Sequence, residues 1–203
     1  MTTDYEVRSF HTNLRAVTGE DDQPIIEGIS PVFNREADIG GMFIEVIDPS
    51  VAKDLQSFDV RARYNHDLVL GRTKNGTLKL EARADGIHYS IFVNRNDALA
   101  MAAYEKVKRG DVDGASFAFT VPPDGEVWTR SKGVITRRVT KFDMLLDVGP
   151  VDFPAYDAAS AQARSKYQQL QEQEPQAASG DADAKAQARR RHLQLLSLNQ
   201  PKE

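Results

Sequence analysis

A histidine and a serine are the side chains in this chain that could support acid–base and nucleophilic chemistry. His66 follows the segment Val60 to Tyr64, and period-two alternation places it where that segment's apolar residues point. Histidine takes up and releases a proton near neutral pH, so at a strand end it can act as a general base once a neighbouring group fixes its tautomer. A histidine that merely bonds a backbone carbonyl would look the same in the sequence.

Ser116 stands at the start of a second predicted strand. Alternate residues from Ala115 onwards form the apolar face of that strand, and Ser116 lies on the other face. Small Ala118 would leave room for a substrate backbone, and Gly114 allows a close approach just before the serine. These features suit a nucleophile, although a serine between a turn and a strand also commonly only bonds the turn. The chain has no Gly-x-Ser-x-Gly motif, which argues against an α/β hydrolase.

Two aspartates could complete a triad with these side chains. In the segment 141–150, alternation puts Phe142, Met144, Leu146 and Val148 on one face and Asp143 and Asp147 on the other. A carboxylate beside a histidine fixes the imidazole and stabilises its protonated form, so either aspartate could serve. Simple surface exposure would explain both equally well.

Composition excludes several other kinds of site. The chain has no cysteine, and its four histidines show no short metal-ligand spacing, so we expect neither a thiolate nucleophile, a metal nor another cofactor. The net charge of −4 argues against a nucleic-acid partner. No apolar run is long enough to cross a membrane, and the first residues lack the features of a secretory signal, so a cytosolic protein is expected.

The elements that would position these side chains are mainly strands. Short segments rich in β-branched and aromatic residues, separated by Gly, Asn, Asp or Pro, are typical of a small barrel or sandwich. We predict strands at 5–12, 25–32, 42–47, 60–64, 78–82, 87–93, 115–121, 134–138 and 141–148.

Three helices interrupt or follow the strands. Asp48 and Pro49 predict a helix start, with the helix running to Gln56. Asn96 or Asp97 would cap a second helix that Gly110 ends. A third is predicted over 156–171.

Composition changes near residue 161, which predicts a compact domain over 1–161 and a polar, largely disordered tail over 162–203. Nine of the eleven glutamines lie in that tail. Its segment 171–184 has too little apolar surface to order itself and is predicted to be a flexible linker. A short helix over 184–198 could form against a partner.

Taken in order, several segments resemble the prohead proteases of tailed bacteriophages, capsid-maturation serine peptidases grouped with the herpesvirus assemblins. The resemblance covers about residues 5–160. Its segments are Gly28 to Phe33, Met42 to Pro49, Asn65-His66-Asp67 before Leu70 to Thr73, Asp85 to Ile87, Gly110 to Phe119, and Asp147 to Tyr156.

The resemblance implies His66 as general base and Ser116 as nucleophile. Asp147 aligns with the acidic residue before the family's Val-Ser-x-Val stretch, where this chain reads Val-Gly-Pro-Val over 148–151. That departure leaves the third member open between Asp147 and Asp143, and the groups that would hold the oxyanion stay unassigned. The implied fold is α+β and mainly β: a compact closed β-barrel surrounded by a few helices, as in the herpesvirus proteases, with a flexible C-terminal tail.

The function implied is that of a serine endopeptidase inside the immature prohead, in the host cytoplasm. It would cleave the scaffold or the scaffolding segment of the major capsid protein, and also itself; a homo-oligomer is left open. The tail from about 165 would be a self-cleavage or capsid-targeting segment.

Two rival functions need no catalysis: an inactive capsid scaffold or assembly protein with the same barrel, and a generic β-barrel binding module. The presence of both His66 and Ser116 argues against the first. Neither rival explains the ordered set of segments.

Overall fold

Strands dominate the computed structural model, which describes residues 5–154 and 160–172. In chain order the strands are β1 (Glu6–His11), β2 (Arg15–Thr18), β3 (Pro24–Val32), β4 (Glu36–Ile39), β5 (Phe43–Ile47), β6 (Arg61–Tyr64), β7 (Leu68–Arg72), β8 (Leu78–Arg83), β9 (Gly86–Phe92), β10 (Gly114–Thr120), β11 (Glu126–Ser131), β12 (Val134–Val139) and β13 (Met144–Val151). The α-helices are α1 (Ala98–Arg109) and α2 (Ala161–Glu172).

These strands form three open sheets, so the expectation of a closed barrel is wrong. A five-stranded sheet has the order β1-β10-β13-β6-β7, and two four-stranded sheets have the orders β11-β12-β5-β4 and β2-β3-β9-β8. Within the described residues, no ladder joins the outer strands of a sheet to each other, which closure would require. The fold is a compact, mainly β arrangement in which residues from all three sheets share one hydrophobic core.

The main hydrophobic core lies between the sheets and beneath α1. Phe117 and Phe119 of β10 stack with their ring centroids 5.0 Å apart, and Phe142 packs against both. Helix α1 contributes a buried stripe that includes Ala103 and Val107. Every residue of β10 is buried, so neighbouring residues pack against both faces of this strand and fix its position in the fold.

A cluster of five charged side chains, four of them buried, ties the first strand to another sheet. Arg8 of β1 donates to Glu45 of β5 over 2.7 Å, and Arg137 of β12 donates to Glu6 of β1 over 2.7 Å and to Glu126 over 2.6 Å. Burial alone would raise the pKa of Glu6, but hydrogen bonds and charge from Arg137 and Arg8 outweigh it and lower the pKa. Glu6 therefore stabilises the fold above the ordinary pKa of a glutamate, and that contribution is lost as the pH falls through the lowered value.

One predicted helix differs in type from the structure, and another is found where it was predicted. Asp48 caps a turn as predicted, because its carboxylate accepts from the backbone N–H of Ser50, but the segment forms two short 3₁₀ turns, Pro49–Ala52 and Leu55–Ser57, rather than one α-helix. Asp97, not Asn96, caps α1, and Gly110 ends it as predicted. No helix in the described part of the chain is long and apolar enough to span a bilayer.

Helix α2 begins at Ala161 and packs on the sheet that contains β5 and β12. Ala163 is buried in a small second core with Phe43 and Ile135, and Tyr167 packs against it. The start of the predicted third helix at Tyr156, most of the predicted linker 171–184 and the predicted helix 184–198 lie outside the described residues. The division into a domain over 1–161 and a tail over 162–203 stays a prediction.

Candidate active site

The candidate site is built on the centre of the five-stranded sheet. Strand β10 lies between β1 and β13, with Ser116 opposite Ser9 on one side and Gly149 on the other. Asp147 of β13 lies opposite Ala118, which follows Ser116 by two positions and so shares its face. Antiparallel register therefore places the serine and this carboxylate diagonally across two neighbouring strands.

His66 reaches the same face from the end of β6. This strand runs parallel to β13, with Arg61 opposite Asp147 and Ala62 opposite Val148. It ends at Tyr64, and His66 lies in the turn that follows, with a φ of 58°. A left-handed conformation costs a residue other than glycine about 1–2 kcal/mol, so the surrounding contacts must hold it. The turn carries His66 over β13 towards Ser116.

The three side chains form a continuous hydrogen-bonded chain. His66 Nε2 lies 2.6 Å from Ser116 Oγ, and His66 Nδ1 lies 2.7 Å from Asp147 Oδ1. The side chain of His66 is 28% exposed and that of Asp147 is 10% exposed, while Ser116 is buried. Solvent therefore reaches the arrangement from the imidazole side.

The chemistry of each group assigns the protons. A carboxylate only accepts, so Asp147 accepts the Nδ1–H of the neutral imidazole, and Nε2 is left as an acceptor facing Ser116. Ser116 Oγ also lies 2.9 Å from the backbone oxygen of Arg8 in β1. The single hydroxyl proton of Ser116 thus has two acceptors within reach, one of which is the nitrogen that could remove it.

Two glycines allow the backbones around Ser116 to approach each other. A Cβ on Gly149 would lie 1.9 Å from the backbone oxygen of Arg63, so only glycine lets β6 pass this close to the strand beside Ser116. A Cβ on Gly114 would lie 2.6 Å from Cγ of Pro154. The sequence pointed to the close approach at Gly114 but did not reveal that at Gly149; a glycine inside a strand was the signal.

Asp147, rather than Asp143, is the aspartate that contacts His66. Asp143 is exposed and precedes β13, and its backbone N–H donates to the carbonyl of Thr120. The register shifts between Ala118 and Phe119, where one residue of β13 is left without an opposite partner. Strict alternation was therefore wrong here, since Leu145 is buried and Met144 is exposed.

Alternation along β6 did not predict the direction of His66 either. Val60 and Ala62 are buried as predicted, but the strand has ended before His66. In a turn with positive φ, the direction of a side chain does not follow the period-two rule of a strand. The structure nonetheless brings together the three residues that the resemblance singled out; their catalytic roles stay a prediction.

Other histidines in the described residues also contact aspartates. His11 Nδ1 lies 3.1 Å from an oxygen of Asp113, and His88 Nε2 lies 2.7 Å from one of Asp85. The second ring nitrogen of His88 faces the guanidinium of Arg83 rather than a hydroxyl. His66 differs from these two histidines because its second ring nitrogen faces a hydroxyl, that of Ser116. Residues 5–154 and 160–172 contain no group of three or more His, Asp or Glu side chains arranged to hold a metal ion.

Comparison with known proteins gives a match to one family model. The family model of the caudovirus prohead serine proteases matches residues 10–173, a span that contains all three side chains. No curated protein and no solved structure matches the chain significantly. The match extends over well more than half of the chain, and the chain therefore belongs to the caudovirus prohead serine protease family.

Proposed function

We propose that this chain is a serine endopeptidase in which Ser116 is the nucleophile, His66 the general base and Asp147 the residue that orients His66. The observation that carries the proposal is the 2.6 Å separation of His66 Nε2 from Ser116 Oγ, within the range that proton transfer requires. The 2.7 Å contact to Asp147 supplies the orienting partner.

The reaction would proceed in two halves. As Ser116 Oγ attacks the scissile carbonyl carbon, its proton passes to His66 Nε2, and Asp147 stabilises the resulting imidazolium. His66 then gives this proton to the leaving amine, so that the peptide bond breaks and an acyl-enzyme ester remains. Water enters in place of the amine and attacks the ester carbonyl carbon as His66 takes its proton. His66 then gives that proton to Ser116 Oγ as the ester bond breaks, which releases the acid product and restores Ser116.

The proposed substrates are proteins of the immature capsid. The family is one of prohead proteases, which supports cleavage of the scaffold or of the scaffolding segment of the major capsid protein. The proposed location is accordingly the interior of the prohead in the host cell.

A fluorophosphonate probe tests the chemistry without knowledge of the cleavage site. We expect the probe to modify Ser116, because such reagents react with a serine whose proton a neighbouring base removes. Peptide mapping by mass spectrometry locates the adduct. Ser116→Ala should abolish labelling, whereas Ser57→Ala, at an exposed serine bonded to the carbonyl of Asp54, should leave it unchanged. A folded wild-type chain that resists the probe would favour an inactive assembly protein.

Self-cleavage is a further part of the proposal. We expect concentrated wild-type protein to shorten itself within 162–203, since a peptide segment enters a protease groove in extended form and the polar composition of 171–184 disfavours a packed fold. Intact-mass measurements over time would detect the shorter chain, and its formation should accelerate with concentration if cleavage is between molecules. Ser116→Ala protein is the control. If the preparation cleaves capsid protein but its own tail stays intact, self-processing would be refuted and the proposed protease function would stand.

A further inference from the structure

The turn that carries His66 has a backbone conformation that needs support. Asn65 and His66 have φ values of 53° and 58°, and the N–H of Asp67 donates to the carbonyl of Tyr64 over 3.1 Å. Positive φ at both central residues is the pattern of a type I′ turn. Positive φ is uncommon for residues other than glycine, although asparagine and histidine adopt it more often than most. The side chain proposed as the base therefore sits in a turn whose conformation depends on its neighbours.

Asn65 is clamped to the segment that follows β13. Its Nδ2 donates to Asp152 Oδ2 over 3.0 Å, and its Oδ1 accepts from the backbone N–H of Asp152 over 2.9 Å. The backbone N–H of Asn65 also donates to the carbonyl of Pro150 over 3.0 Å. Three hydrogen bonds thus fix the first central residue of the turn to β13, which carries Asp147, and to the residue that follows this strand.

The Asp152 carboxylate is held from a second direction as well. The hydroxyl of Tyr64 donates to Asp152 Oδ1, and Lys106 of α1 donates to the oxygen of Tyr64 over 3.0 Å. Hydrogen bonds from Tyr64 and then Asn65 lower the pKa of Asp152, so it remains an acceptor for both. One carboxylate therefore links the residue before the turn to a residue inside it.

We propose that Asn65 and Asp152 are positioning residues that hold His66 at its distances from Ser116 and Asp147. The inference rests on the proposed function and names the groups on which its proton transfer depends. Because Asp147 and Asp152 lie on one continuous segment, the clamp makes the turn with His66 and the carboxylate facing it move as a unit. Without it, the turn can relax, and a displacement of about 1 Å can cost about 10²-fold in rate.

An exchange of the two side chains tests the clamp. Asn65→Asp puts two carboxylates against each other, and Asp152→Asn leaves one oxygen to accept from two donors, so each breaks the arrangement. In the double variant, the carboxylate at position 65 accepts from the backbone N–H and the new amide at 152, while the amide oxygen accepts from Tyr64. The double variant therefore restores the pairing of donors with acceptors and again has one negative charge in the pair.

The readout is the second-order rate constant for fluorophosphonate labelling of Ser116. We expect each single exchange to slow labelling by about 10- to 100-fold and the double variant to recover to within a few-fold of wild type. Melting temperatures and the pH dependence of labelling are measured alongside. Asn94→Asp is a matched control, because that side chain also accepts from a turn N–H but lies away from His66.

The outcomes separate the two proposals. If the wild type labels and the single variants label at the same rate as the wild type, the positioning role would be overturned and the proposed function would stand. Loss of labelling that follows only the unfolded fraction, or that persists in the double variant, would also overturn it. A wild-type chain that does not label at all would refute the proposed function, and the positioning role with it.

Discussion

Ser116→Ala and His66→Ala should each reduce cleavage of a capsid-protein substrate by about 10⁶-fold, and the double variant should be no slower than either. The 2.6 Å contact between these side chains explains the expectation. The serine is a poor nucleophile unless His66 accepts its proton, and His66 has no reacting group to serve once Ser116 Oγ is gone. Because the two act as a unit, their losses should not add.

Initial rates of product formation, followed by mass spectrometry, would measure the effect. Melting temperatures close to that of the wild type would show that the variants remain folded. A small decrease is expected for Ser116→Ala, because it also loses the hydrogen bond to the carbonyl of Arg8. Losses that multiplied in the double variant would mean that the two residues act independently, which contradicts a proton transfer between them.

Asp147→Asn should lower the turnover rate by about 10⁴-fold while leaving the fold intact. An amide of the same shape can donate to His66 Nδ1, which favours the tautomer with its proton on Nε2 and removes the acceptor that Ser116 needs. It also takes away the charge that stabilises the imidazolium formed during the reaction.

Asp143→Asn is the matched control for this change, since it makes the same substitution four residues earlier, at an exposed position before β13. It should retain wild-type turnover. Full activity in Asp147→Asn together with a loss in Asp143→Asn would reverse the assignment of the orienting carboxylate.

Local patterns in the sequence predicted most of the strands with core-facing residues. The hydrophobic alternation at β10 and the caps of α1 are local properties, and both were predicted correctly. Strands β2, β4, β7 and β11 were missed, because each is short or carries polar side chains and gains its place from its neighbours. The closed barrel implied by the resemblance was wrong, and the strand pattern could not correct it, because strand counts and turn spacing do not say which edges pair.

The candidate site, too, could be predicted only in part from local sequence patterns. The types of His66 and Ser116 could be recognised, and the ordered motifs suggested that they meet. Their geometry depends on two departures from regular strand structure: a turn with positive φ at His66 and a register shift in β13 that buries Leu145. Period-two reasoning assumes that neither occurs, so it could not choose between Asp147 and Asp143 on geometric grounds.

The site gathers groups from distant parts of the chain. His66 is separated from Ser116 by 50 residues and from Asp147 by 81, and the carbonyl that bonds the Ser116 hydroxyl comes from β1, 108 residues earlier. Closing loops of this length costs entropy that only later contacts repay, so such contacts form late in folding. During synthesis, the nascent chain cannot hold this arrangement until β13 has joined β10, so the candidate site is assembled only after most of the described chain has been made.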